Sequence, residues 1–336
     1  MSVEVLLAGA VMVSLTMYVL LSGADFGAGI WELLATGATR ERQLHLIEAT
    51  ITPVWEVNHI WLVFVVVLLF SGFPIAFAAL LSALFFPALL MLIGIIFRGA
   101  AFVFRAPFAP ASRTRRVFAR VFAISSLLTP VFMGVAFGTI AQTNSASSWS
   151  AETNGAATEW LTPFTILTGL LTVALFAQLA AVYLLLETSA TDLREVFRLR
   201  ALGAGVLVVL LTIATIVLAA SQAPTLWLCF QGHIVARVAL AIAATLTVLT
   251  LAALWRRRFR LAQIAVISQT VFLLWSVAFA QYPNLGGPDQ MPISSSAAPD
   301  NVILALLWIA GLGTATLVPA LLFLLRTFRA ASSKSY

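Results

Sequence analysis

Long apolar runs follow one another through almost the whole chain, separated by short connections. A helix needs about 20 apolar residues to cross roughly 30 Å of hydrocarbon, and open strands leave backbone groups unpaired in lipid. The sequence therefore predicts an all-α polytopic membrane protein with nine transmembrane helices. We expect the spans at 3–22, 53–73, 75–97, 117–141, 160–186, 201–221, 232–254, 261–281 and 301–325.

The composition excludes most soluble classes. Of the 336 residues, 61% are hydrophobic and 10% are charged, whereas soluble domains carry roughly 25% charged residues. The net charge of +6 does not indicate a nucleic-acid partner, because the basic residues form short clusters between apolar runs. The single cysteine, Cys229, excludes an internal disulfide, a thiolate-bound iron–sulfur cluster and a CxxCH haem attachment.

The positions of the basic residues predict the orientation. All lysines and arginines except Arg237 follow spans one, three, five, seven and nine, and the intervening connections contain none. The positive-inside rule places the basic connections in the cytoplasm, the N-terminus outside and the C-terminus inside. No basic region precedes the first apolar run, so we expect a retained helix there. For Arg237 we expect snorkelling or pairing with Asp289, with an anionic-ligand site as the alternative.

The second span carries polar residues that the bilayer makes costly. Its uninterrupted apolar stretch, 60–70, is too short to cross, so the helix must begin earlier, with Thr52 as N-cap and Pro53 at the first helical position. An ionised carboxylate deep in lipid costs about 3 kcal/mol, so Glu56 should face protein or water. Because the helix begins earlier, the inner part of the membrane should also contain Trp55, Asn58 and His59.

Two further charges are predicted at the same cytoplasmic level. Asp25 follows span one and Arg98 ends span three. Buried carboxylates can hold and release protons, and an arginine sets which of them stays ionised. With Glu56, these residues are candidates for a proton inlet. The alternative is that all three are interfacial, with Asp25 capping a helix and Arg98 snorkelling to lipid phosphate.

The three histidines do not predict a haem site. Haem in a helical bundle takes an axial histidine, often two at one depth, but His45 is predicted in a cytoplasmic connection, His59 in the inner leaflet and His233 near the outer face. We expect no haem and no other metal ligand set within this chain. His59 lies three residues after Glu56, so it either shares a proton route or has a packing role.

Three sequence blocks resemble subunit II of bd-type quinol oxidases: LSGADFGAG at 21–29, TPVWEVNHIWL at 52–62 and LIGIIFRGAAF at 92–102. WLTPF at 160–164 and YPNL at 282–285 are also similar to that family. Two departures mark a divergent member. The family's usual Asp-Gly-Phe-Asp is here Ser-Gly-Ala-Asp, and its usual Trp-Asp-Gly-Asn is Trp-Glu-Val-Asn.

The resemblance implies a respiratory complex in the bacterial cytoplasmic membrane. A haem-bearing subunit I would hold haem b with haem d or a further haem b, whereas subunit II binds no haem directly; a structural quinone or a lipid in this chain stays open. The whole complex would oxidise quinol and reduce oxygen electrogenically. The implied fold is one membrane domain, 1–336, with four-helix bundles at 1–141 and 160–281 and a peripheral helix at 301–325.

The resemblance also implies roles for particular residues. No catalytic residue is expected in this non-haem subunit; its roles are to stabilise subunit I and to help take up protons. The proton route would comprise Glu56, Asp25 and His59, supported by Trp55, Asn58 and Arg98. Two alternatives remain, a proton-coupled secondary transporter and a purely structural membrane subunit.

Overall fold

The structure, a computed structural model, describes residues 2–51, 55–109, 112–142, 160–286 and 291–332, with the side chains of 51–57 and 321–332 excepted. It is 88% helical. The helices are α1 (Val3–Leu33), α2 (Arg40–Ile51), α3 (Trp55–Gly72), α4 (Pro74–Ala83), α5 (Phe85–Arg105), α6 (Arg113–Gln142), α7 (Pro163–Glu187), α8 (Thr191–Gln222), α9 (Pro224–Gly232), α10 (Ile234–Trp255), α11 (Phe259–Gln281), α12 (Ile293–Ser296) and α13 (Asp300–Ser332).

Within the described residues, eight helices are each long and apolar enough to cross a membrane: α1, α5, α6, α7, α8, α10, α11 and α13. Helices α3 and α4 form a pair bent by 120°, which brings the number to nine if the pair is one span. The predicted all-helical membrane fold is confirmed. The prediction of one span at 75–97 is wrong, because α4 ends at Ala83 and α5 begins at Phe85.

Two prolines explain where these helices begin. Proline has no N–H to donate, so it is tolerated in the first turn of a helix and interrupts a helix further on. Pro74 occupies the first position of α4, directly after the bend at Phe73. Pro87 lies in the first turn of α5. The sequence therefore ends one helix and begins another inside an apolar run that looks continuous by hydropathy.

Helix α1 is longer than predicted. Its 31 residues extend over about 46 Å, which exceeds the roughly 30 Å of hydrocarbon. Asp25 therefore lies inside the helix, and Arg98 lies inside α5, which continues to Arg105. Both helices thus continue past the predicted ends of spans one and three, at residues 22 and 97. Inside α1, Gly27 lies against Phe176 of α7 and Gly29 lies against Ser126 of α6.

Helix α7 lies at the centre of the molecule and packs against α1, α6, α8 and α11. Small residues allow the backbones to approach closely, as is common in membrane proteins. A Cβ at Gly27 on α1 would collide with the backbone carbonyl of Phe176 on α7. Next to this contact, Trp31 donates a hydrogen bond from Nε1 to the Ala177 carbonyl, at 2.8 Å. Glycines thus fix α1 against the central helix.

Buried amides connect the helices of the C-terminal half. Gln178 on α7 and Gln269 on α11 are 0% and 1% exposed. Gln269 donates from Nε2 to Oε1 of Gln178, at 3.1 Å. Thr250 on α10 donates to Oε1 of Gln269, at 3.4 Å. Polar side chains in such positions hold membrane helices together.

We expect Gly27→Ala to separate α1 from α7, because the added methyl group would overlap with the backbone carbonyl of Phe176, which cannot rotate away as a side chain can. Overpacking costs typically about 1–3 kcal/mol, so the midpoint of thermal unfolding in detergent should fall. Gly9→Ala on the same helix is the matched control, since a Cβ at Gly9 meets nothing within 4 Å. Equal midpoints for the two variants would contradict the close contact.

Candidate functional site

A buried ion pair joins α1 to α5. Arg98 Nη2 lies 2.5 Å from Asp25 Oδ1, and the two side chains are 2% and 0% exposed. The same Nη2 donates to the backbone carbonyl of Asp25, at 3.2 Å. A charge in lipid is costly and is therefore paired. Each of these two groups neutralises the other inside the protein.

Two further helices complete the pair's polar surroundings. Asn58 on α3 donates from Nδ2 to Asp25 Oδ2, at 3.1 Å. Ser126 on α6 accepts a hydrogen bond from Arg98 Nε, at 2.9 Å. The structure thus brings together three residues that the sequence singled out, Asp25, Asn58 and Arg98.

Aromatic rings cover the guanidinium group. Its central carbon lies 4.6 Å from the ring centre of Phe26 and 4.7 Å from that of Phe122, which is within the range of cation–π attraction. Arg98 is therefore held in the protein interior. The alternative in which Asp25 caps a helix and Arg98 snorkels to lipid phosphate is wrong.

A second ion pair repeats the first one seven residues later on both helices. Arg105 Nη1 lies 2.9 Å from Glu32 Oε1, and the side chains are 4% and 10% exposed. Because seven residues make about two helical turns, each helix presents both of its charges on one face. The order of the charges shows that α1 and α5 run in the same direction.

A third pair lies beyond the second. Glu48 on α2 is 3.0 Å from Arg115 on α6 and 3.9 Å from Arg105, measured from Oε2 to Nη2 and from Oε1 to Nε. The Glu48 side chain is 39% exposed and that of Arg115 is 23% exposed. We call the six residues of these three pairs the charge ladder: Asp25, Arg98, Glu32, Arg105, Glu48 and Arg115.

Helix α2 is also attached to the other half of the chain. Arg200 on α8 donates from Nη2 to Oε1 of Gln43, at 2.9 Å. Arg42 forms an ion pair with Asp192, at 2.5 Å, with both side chains about half exposed. Glu48 is thereby held beside the inner pairs.

Four residues of the charge ladder were not predicted from the sequence: Glu32, Arg105, Glu48 and Arg115. A signal was present, because Asp25 and Glu32 are separated by seven residues and Arg98 and Arg105 by the same number. Equal spacing of opposite charges on two parallel helices predicts two stacked ion pairs. Glu48 carries no comparable signal, since α2 approaches the pairs only in the folded chain.

Several predicted residues lie outside the described part of the structure. Glu56 and Trp55 belong to α3, but their side chains are not described, and neither are Thr52 and Pro53. The same holds for Asp289, the partner proposed for Arg237. Arg237 itself is exposed, and His59 is half-buried next to Asn58.

The three histidines lie on or beside three different helices. His45 on α2 and His233 at the start of α10 are both exposed, and His59 lies on α3. The His233 ring nitrogen Nδ1 is 2.9 Å from the Cys229 carbonyl. In the described ranges, no three or more His, Cys, Asp or Glu side chains form a group that could hold a metal ion.

A cavity of about 680 Å³ lies between the two halves of the chain and is lined mainly by apolar side chains. Its polar lining residues include Tyr18 on α1, Thr215 on α8 and Arg237 on α10. Within the described structure, the hydroxyl groups of Tyr18 and Thr215 are buried without a hydrogen-bond partner. The cavity is therefore suited to a long apolar molecule with a hydrogen-bonding group.

The helices and their buried ion pairs define a multi-pass membrane protein with charges neutralised inside its spans. The family model described as cytochrome bd terminal oxidase subunit II matches residues 3–328. The chain belongs to this family. It is a multi-pass protein of the bacterial cytoplasmic membrane.

Similar proteins carry the same description. The cytochrome bd ubiquinol oxidase subunit 2 of Bacillus subtilis is 32% identical over 125 residues, 36% of this chain and 35% of that protein. The cytochrome bd-I ubiquinol oxidase subunit 2 of Escherichia coli K12 is 28% identical over 169 residues, 49% of this chain and 44% of that protein. The chain thus spans less than half the length of these relatives.

The fold is shared with a solved structure. A chain of the bd oxidase from Geobacillus thermodenitrificans superimposes with a TM-score of 0.81 at 24% identity. The match covers 98% of this chain and 99% of that one.

We expect Arg98→Gln to destabilise the protein strongly, because it leaves the Asp25 carboxylate buried without its charge partner. Breaking a buried pair costs about 3–5 kcal/mol, whereas Arg42→Gln, at the half-exposed pair with Asp192, should cost less than about 1 kcal/mol. Denaturant titration in detergent gives the free energies of unfolding. The double variant Asp25→Asn/Arg98→Gln should lose less than the two single losses added together; simple additivity would contradict the pairing.

Proposed function

We propose that this chain is the non-haem subunit II of a bd-type quinol oxidase, in which the complex oxidises quinol and reduces oxygen to water. The family match over residues 3–328 supports this proposal, as do the names of the relatives. The partner is a haem-bearing subunit I that holds haem b with haem d or a further haem b. This chain stabilises that partner and takes part in proton uptake.

The proposed topology has nine crossings, with the N-terminus outside and the C-terminus in the cytoplasm. Helix α3 has 18 residues and extends over about 27 Å, which is close to the hydrocarbon thickness. In this arrangement α1, α3, α5 and α6 form one bundle, α7, α8, α10 and α11 form the second, and α13 is peripheral. The packing of α13 on α1 and α3 supports this assignment.

The buried Asp25–Arg98 pair carries the proposal of a proton role. An apolar side chain would satisfy the bilayer at lower cost than a desolvated ion pair, so the buried carboxylate suggests a function. Asp25 forms the proton route together with Glu56 and His59. Arg98, Asn58 and Trp55 position these groups and balance the charge.

Glu56→Gln tests the proton role in the assembled oxidase. Removing the acid should lower oxygen consumption and membrane-potential generation by about tenfold or more, while the haem content stays at the wild-type level. Oxygen electrode and potential-sensitive dye measurements in proteoliposomes provide both values. Normal turnover at normal haem content would remove Glu56 from the route.

The same purification separates the alternative functions. A second large membrane subunit and a haem absorption spectrum are expected with the wild-type chain, whereas a colourless isolated protein would favour a transporter. The Asp25–Arg98 pair also holds α1 against α5, which favours a purely structural subunit as the second candidate. Loss of haem or of subunit I in Glu56→Gln would support that candidate.

We also propose that the apolar cavity holds a structural quinone or a lipid chain, with Tyr18 and Thr215 donating to its oxygen atoms. Organic extraction and mass spectrometry of the purified complex should recover such a molecule in stoichiometric amount. Thr215→Phe should lower the recovered amount, because the ring would occupy the cavity. Thr245→Phe, at an exposed site on α10, is the control. Equal recovery from both variants would contradict the assignment.

A further inference from the structure

We infer that the charge ladder is a hydrated proton inlet, in which Glu48 is the outer acceptor and Glu32 the middle acceptor on the way from the cytoplasm to Asp25. The inference rests on the proposed function and extends it to Glu48 and Glu32, which lie outside the three sequence blocks that resemble the family. Three independent observations carry it: the graded exposure of the acids, their pairing, and the unpaired polar atoms between them.

The exposure of the three carboxylates falls steadily along the ladder. The side chain is 39% exposed for Glu48, 10% for Glu32 and 0% for Asp25. A purely structural set of ion pairs requires no such order. A route that delivers protons from water to a buried acid requires an acceptor in water, an intermediate one and a buried one.

Each acid is paired with an arginine, and the arginines follow the same order. Arg115 is 23% exposed, Arg105 is 4% exposed and Arg98 is 2% exposed. Arginine stays protonated under all conditions in proteins, so only the carboxylates can exchange protons. Each arginine lies against one carboxylate and balances its charge.

Water is needed between the acids. Asp25 and Glu32 are separated by seven residues of α1, which is roughly 10 Å along the helix axis, too far for direct transfer. Arg105 Nε and Nη2 are buried without a hydrogen-bond partner within the described residues, and so is Asn58 Oδ1 beside Asp25. Buried polar atoms of this kind are normally satisfied by ordered water. The ladder thus offers sites for water at both ends of this gap.

The transfer is a sequence of proton movements without electron movement. A proton from cytoplasmic water binds the Glu48 carboxylate, passes through water to Glu32 and then through water to Asp25. Each carboxylate returns to its ionised form and to its arginine when the proton moves on. One proton leaves Asp25 towards the oxygen site for each proton that enters at Glu48.

The test uses the assembled oxidase in proteoliposomes. We expect oxygen consumption and membrane-potential generation to fall about tenfold in Glu32→Gln and about twofold in Glu48→Gln, at normal haem content. Turnover in heavy water should slow further in both variants, because proton delivery becomes rate-limiting; a structural defect does not produce this isotope effect. Glu32→Asp should recover most of the activity.

Glu195→Gln is the matched control. Glu195 on α8 is 38% exposed and is paired with Arg198 and Arg257, so it resembles Glu48 in exposure and pairing but lies outside the ladder. We expect turnover and the isotope effect of this variant to equal those of the wild type. An equal loss in Glu195→Gln and Glu48→Gln would overturn the inference, because the effect would then follow from any cytoplasmic ion pair.

A double variant covers the case in which Glu32→Gln fails to assemble. Glu32→Gln/Arg105→Gln removes both charges and should assemble but take up protons slowly. Normal proton uptake in this double variant and in Glu48→Gln overturns the inference that the charge ladder is a proton inlet. The proposed proton role of the subunit stands in that case if Glu56→Gln is still impaired. Normal uptake in Glu56→Gln as well would reject the proton role itself. If neither Glu32 variant assembles, an unchanged Glu48→Gln overturns the inlet.

Discussion

The burial of charge inside an apolar helical body is the constraint on which the rest of the structure depends. Asp25 and Arg98 are almost completely buried, and neither is tolerable there alone because an isolated ion in a low-dielectric interior is strongly destabilised. Their 2.5 Å contact therefore fixes the rotation of α1 and α5 about their own axes. Asn58 and Ser126 extend the same constraint to α3 and α6.

Close backbone packing makes this arrangement possible. The face of α1 that carries Gly27 and Trp31 packs against α7. Asp25 and Glu32 therefore face α5, where they pair with Arg98 and Arg105. Gly94 on α5 approaches Thr129 on α6 in a similar way. Glycine positions thus determine which helices are neighbours, and the ion pairs determine how those neighbours are rotated.

Hydropathy and the basic clusters were sufficient to predict the fold class, but they gave less accurate helix ends. Helix α8 begins at Thr191, ten residues before its predicted span. Ion pairs stabilise its charged first turns, whereas a hydropathy scale assigns such a charged segment to a loop. Topology alone predicted that Asp25 and Arg98 lie at the same depth, near the cytoplasmic side. Glu48 was not predictable, because its position beside Arg105 depends on how α2 folds back against α1.

The gradient of exposure gives the charge ladder a direction in the proposed proton route. At the inner end, the Asp25 and Arg98 side chains are 0% and 2% exposed, so the protein alone balances each of these charges. At the outer end, the Glu48 side chain is 39% exposed, so water also screens its charge. The exposed acid is therefore the one in contact with solvent, and the buried acid is separated from solvent by its partner and by the packed helices.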